Sequence, residues 1–103
     1  MLFREMQATA RREGRSLTDV SAAIGLAAAK AGLELGNVHI FDFYSHALGA
    51  IREEGLLRFL RRVATPYVSR AGSHFDPNVT TYTERFVRWL EARRGDGPSR
   101  NNP

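Results

Sequence analysis

Apolar residues recur at helical spacing along most of the chain, and glycine or proline cuts the pattern into five segments. Over residues 2–13, Leu2, Phe3, Met6 and Ala10 share a face, Arg4, Arg11 and Arg12 point away from it, and Gly14 supplies a stop. Ser16 followed by Asp19 has the spacing of a capping box, with Asp in place of Glu. From Leu17 to Leu35 the only charges are Asp19, Lys30 and Glu34, and Val20–Leu33 is rich in alanine, with Gly25 and Gly32. Small side chains let neighbouring helices approach closely, which predicts a buried central helix. Residues 38–54 carry Val38, Phe41, Leu48 and Ile51 along one stripe, with Ile40, Tyr44 and Ala47 beside it. Val38–Tyr44 is also the one stretch whose composition suits a strand.

Gly55 marks a break or a tight corner, after which Leu56, Leu57, Leu60, Val63, Ala64, Tyr67 and Val68 restart a helical stripe, with Pro66 as a kink or boundary. Residues 72–78 read as a loop, with Asp76 before Pro77 as the start of a last helix. That helix is expected to carry Val79, Tyr82, Phe86, Trp89 and Leu90 inward and to end before Gly95. The pattern predicts an all-α fold, a compact bundle of about five helices with the Ala-rich helix at its centre. It forms one helical domain over residues 1–94, with a disordered tail over 95–103.

Composition narrows the function. At 103 residues the chain has room for one modest core. It has no cysteine, which removes disulfides, thiolate metal sites and thiol nucleophiles, and favours a cytoplasmic location. No apolar run reaches the length of a membrane span. Fourteen of the fifteen basic residues are arginine, Lys30 being the exception, and the formal net charge is +4. GC-rich codon usage also enriches arginine. The guanidinium group, however, presents a planar fork of donors that matches phosphate oxygens, so the clusters bear on partners.

Three constellations carry candidate chemistry. His39, Asp42 and His46 share a helical face, but histidines seven apart lie about 10 Å from each other along a helix axis, too far to share one metal ion. There is no glycine-rich phosphate loop, and no serine in a nucleophile-elbow context, so no catalytic residue, cofactor or small-molecule substrate is expected. Residues 16–26 resemble the first helix and turn of a helix-turn-helix. The following AAAKAGLELG, however, has only Lys30 to offer base edges. The third constellation is basic. Arg58, Arg61 and Arg62 fall within about 100° on the fourth helix, and Arg85 and Arg88 line one face of the last. Guanidinium groups one turn apart can meet successive phosphates without reading a base. Glu54–Arg58 and Glu84–Arg88, each four apart, are the local pairs that would instead make these arginines a solvated face.

The segment FDFYSHALGAIREEGLLRFLRRVATPYVSRAG, residues 41–72, resembles a region of the small helical subunit of class 1 CRISPR–Cas interference complexes, in the rhythm of an aromatic, A-L, A-I and F-L-R-R. The resemblance covers about a third of the chain. It implies a non-catalytic subunit of a ribonucleoprotein complex that contacts the guide or target nucleic-acid backbone through Arg58, Arg61, Arg62, Arg85 and Arg88. Its partners would be nucleic acid and other protein subunits, not a membrane. The alternatives are a helix-turn-helix transcription regulator and a protein-binding adaptor.

Overall fold

The computed structural model describes residues 2–35, 39–65 and 77–96. They form five helices: α1 (Leu2–Glu13), α2 (Leu17–Leu35), α3 (Ile40–Glu54), α4 (Leu56–Ala64) and α5 (Pro77–Asp96). Ile40–Tyr44 is the first turn of α3, and no strand occurs among the described residues. The fold is an all-α bundle of five helices. None of them is long and apolar enough to cross a membrane.

The corners follow from local chemistry. Gly14 takes φ +67°, and its N–H reaches the Arg11 carbonyl at 3.2 Å while that of Arg15 reaches Ala10 at 2.9 Å. This pair of bonds is a Schellman motif, and it closes α1. The capping box forms as the spacing predicts: Asp19 N–H donates to Ser16 Oγ at 3.0 Å and Ser16 N–H to Asp19 Oδ2 at 3.4 Å. Gly55, at φ +89°, makes the tight corner. Its N–H closes α3 on the Ile51 carbonyl at 2.9 Å, and its own carbonyl accepts from Phe59 at 3.0 Å to open α4. The first N–H of α4, on buried Leu56, donates 3.0 Å to Glu13 Oε1 at the end of α1. At the other end of α4, the Lys30 ammonium donates to the carbonyls of Val63, at 2.6 Å, and Thr65. The sole lysine is thus a long-range helix cap.

Helix α2 touches all four others. Val20, Ala23, Ile24 and Ala27 face the centre, where Ala47, Leu48 and Ile51 of α3, Leu56, Phe59 and Leu60 of α4, Val87 and Leu90 of α5, and Met6 and Ala10 of α1 close over them. It is central without being enclosed, because Thr18, Ser21, Ala22, Gly25 and Ala29 form an exposed strip. The helix runs unbroken through Gly25, since packing on its other faces outweighs the cost of about 1 kcal/mol for glycine. The turn that a helix-turn-helix requires there is therefore absent.

Three inward assignments fail. Phe3 is 58% exposed, with Met6, Thr9 and Ala10 making the buried face of α1. On α5, Tyr82 is 57% and Trp89 48% exposed, while Thr80, Thr83, Val87 and Leu90 are buried. The helix is rotated toward its threonines because Thr83 satisfies its hydroxyl internally, donating to the Val79 carbonyl at 2.7 Å. Burial then costs Thr83 no hydrogen bond. Helix α5 also continues through Gly95 to Asp96. The expectations for residues 36–38, for the break at Pro66, for the loop from 72 to Asp76 and for the tail beyond Asp96 lie outside the described residues.

The rotation sets a stability order. Leu90→Ala should cost about 3 kcal/mol, as for a fully buried leucine, and Trp89→Ala about 1 kcal/mol. Urea unfolding of both variants checks it; a larger loss for Trp89→Ala would contradict the rotated face.

Candidate nucleic-acid interface

The buried face of α4 is Leu56, Phe59, Leu60 and Ala64. With nine residues and those four inside, half-buried Leu57 and Val63 at the margins leave a solvent face made entirely of Arg58, Arg61 and Arg62. Arg58 is at the middle of that face. Its two neighbours are tied sideways, one to each flanking helix. Arg61 pairs with Glu91 of α5. Arg62 reaches back across the Gly55 corner to Glu54 of α3, with Nη2–Oε2 at 2.5 Å and Nε–Oε1 at 3.3 Å, and lies 5.5 Å over the Phe59 ring. This bidentate geometry replaces the expected Glu54–Arg58 pair. The hydrogen bond from Arg62 holds the Glu54 carboxyl below its ordinary range against a partial opposing effect of burial, and the same bond raises the Arg62 guanidinium.

On α5, Arg85, Arg88 and Glu91 follow one another three residues apart, so they run obliquely along the helix toward the side that meets α4. Arg85 and Arg88 are exposed, and neither has an ion-pair partner among the described residues. The expected Glu84–Arg88 pair is not formed there. The Arg61–Glu91 contact sets the α4 row beside the α5 row that carries Arg88 one turn, and Arg85 two turns, before Glu91. Of the five predicted arginines, Arg58, Arg85 and Arg88 form no ion pair among the described residues, and Arg61 and Arg62 are held by carboxylates.

The other arginines divide in the same way. Arg15 donates to the Leu90 carbonyl at 3.0 Å, and Arg93 to Asp19 Oδ1 at 3.2 Å. Arg93 also lies 4.2 Å over the Trp89 ring, which stacks against Phe86 with centroids 5.8 Å apart. These two arginines tie α5 to the start of α2. Arg4, Arg11 and Arg12 on α1 and Arg52 on α3 are exposed and form no ion pair among the described residues.

The histidine constellation comes apart. His39 Nδ1 stands 3.5 Å from Asp42 Oδ2, both side chains well exposed, while His46 borders a cleft between α2, α3 and α4. No group of three or more His, Cys, Asp or Glu with metal-binding geometry occurs among the described residues. Sequence reasoning missed the counter-ions, Glu54 and Glu91, and the capping role of Lys30; a carboxylate eight residues from its partner across a glycine corner, or thirty residues away, leaves no periodic trace.

No protein family, no curated protein and no solved structure matches the chain. The fold and the surface define an all-α protein with an arginine band across two adjacent helices.

The sign of the Glu54 effect is testable. Because folding lowers its pKa, the Glu54–Arg62 pair adds stability above the unfolded carboxyl value of 4.5 and loses it as pH falls through the folded value. At neutral pH, Glu54→Gln should lower stability by less than about 1 kcal/mol, as for an exposed pair. Melting curves from neutral to acidic pH should converge for the two proteins at the acid end. A constant offset at every pH would exclude this linkage.

Proposed function

We propose that the protein is a non-catalytic nucleic-acid-backbone binder, acting in the cytoplasm as a small subunit of a ribonucleoprotein assembly of the CRISPR interference type. The observation that carries the reading is the face of α4: three arginines, no carboxylate of its own, and continuity with Arg85 and Arg88 on α5. Phosphate offers each guanidinium two oxygens, as a carboxylate does. A strand laid along the band can therefore take over Arg61 and Arg62 from Glu91 and Glu54 while adding Arg58, Arg85 and Arg88. Contacts of this kind position a backbone and carry no sequence information. The resemblance of residues 41–72 to the small CRISPR subunits supports the same role. Exposed Tyr82 and Trp89, one on either side of half-buried Phe86, add an aromatic surface suited to a neighbouring protein subunit.

Salt dependence tests it. Binding of a labelled random-sequence oligonucleotide, followed by anisotropy, should give a log affinity against log salt slope of roughly −3.5 to −4.5 if all five arginines engage, at −0.7 to −0.9 each. Arg58→Ala and Arg85→Ala should each flatten it by about one contact and weaken all sequences alike. Glu91→Gln should instead tighten binding, since the phosphate no longer competes for Arg61. Unchanged slope in both arginine variants would remove the band from function and leave the adaptor reading.

A further inference from the structure

The cleft bordered by His46 has a volume of about 490 Å³, within the range of small-molecule sites. Its floor is Ala27, Ala47 and Phe59, all buried, and its walls include half-buried Ala31, Phe43 and Val63. Lys30, His46 and Arg62 stand around it, and no carboxylate lines it among the described residues.

The walls dictate the body of an occupant. Alanine, valine and phenylalanine side chains offer neither donor nor acceptor, and the helical backbone behind them is already hydrogen-bonded. A nucleobase or sugar placed there would find polar partners only at the rim, on Lys30, His46, Arg62 and Thr65, and would lose its other hydrogen bonds to water. A hydrocarbon loses nothing and covers apolar surface. The rim dictates the head. An ammonium has three donors, and Lys30 uses two of them on the carbonyls of Val63 and Thr65, so one remains. Arg62 commits Nε–H and one Nη2 hydrogen to Glu54, which leaves both hydrogens of Nη1 and the second of Nη2. Both cations are positioned by contacts already made, so little side-chain freedom is lost when an anion arrives.

We propose that the cleft between α2, α3 and α4 binds an aliphatic carboxylate, its chain over Phe59 and its head group on Lys30 and Arg62. The cleft shares Arg62 with the outer face of α4, while its apolar floor and Lys30 lie between α2, α3 and α4, so octanoate binding is read without nucleic acid present.

Calorimetric titration with octanoate, octan-1-ol and octylammonium, which share one hydrocarbon body, reads the head-group preference. Octanoate should saturate one site, with octan-1-ol about ten-fold weaker, as the loss of a charge-assisted hydrogen bond implies, and octylammonium weaker again. Ala31→Leu and, independently, Ala50→Leu insert bulk into the cleft from α2 and α3 and should each reduce octanoate affinity about ten-fold in a protein that keeps its helical circular dichroism. Arg62→Gln should reduce it several-fold while leaving octan-1-ol unchanged. Equal binding of octanoate and octan-1-ol, no saturable octanoate site, or full affinity in both filled variants would overturn the assignment.

Discussion

The Asp19 carboxylate, 4% exposed, is the contact on which the arrangement of helices depends. One of its oxygens closes the capping box at the start of α2, and the other receives Arg93 from α5. A buried carboxylate with both oxygens engaged is stable only where it sits, so it fixes how the end of α5 meets the start of α2. The Arg15 bond to the Leu90 carbonyl reinforces the same junction. With α5 set in this way, Val87 and Leu90 close over Ile24, and Glu91 is brought within reach of Arg61 on α4. The arginine band is thus a consequence of a junction on the opposite flank of α5.

Charge in this protein has two separate uses. Glu13, Asp19, Lys30, Arg15 and Arg93 complete helix ends or bind other helices, and they do so over long sequence separations. Each such contact satisfies a group that would otherwise face a poorly solvated corner. Among the described residues, Arg58, Arg61, Arg62, Arg85 and Arg88 form only two exposed ion pairs of small energetic weight, and Arg62 also lies over the Phe59 ring. A surface kept basic at the middle of a short amphipathic helix, without a carboxylate of that helix to neutralise it, is better suited to an external anion than to internal support.

Much of the fold was legible because its signals are local. Ser16 and Asp19 specify a cap by their spacing, Gly14 and Gly55 adopt the positive φ that glycine alone takes readily, and Pro77 opens α5 as its fixed φ allows. The face of α5 was not legible, because Tyr82, Phe86 and Trp89 form an apolar stripe as regular as the buried one. Only tertiary contacts choose between them, and they select the face of Thr80 and Thr83, of which Thr83 hydrogen-bonds to the Val79 carbonyl. On the arginine band, position on the helix was readable from residues 58, 61 and 62, whereas the state of each charge was not. Glu54 chooses Arg62 over Arg58 through the angle of the Gly55 corner, which no spacing rule contains.

The central claim, that the arginine band is the surface that meets a nucleic-acid backbone, is tested most directly by the side-chain Nε–Hε resonances of the arginines during titration with a random-sequence single strand. Shifts are expected at Arg58, Arg61, Arg62, Arg85 and Arg88, with Arg15 and Arg93 unmoved because each guanidinium is anchored through Nη1, to the Leu90 carbonyl and to Asp19, at the junction of α5 with the start of α2. Shifts confined to Arg4, Arg11 and Arg12, or no shifts at all at low salt, would contradict it.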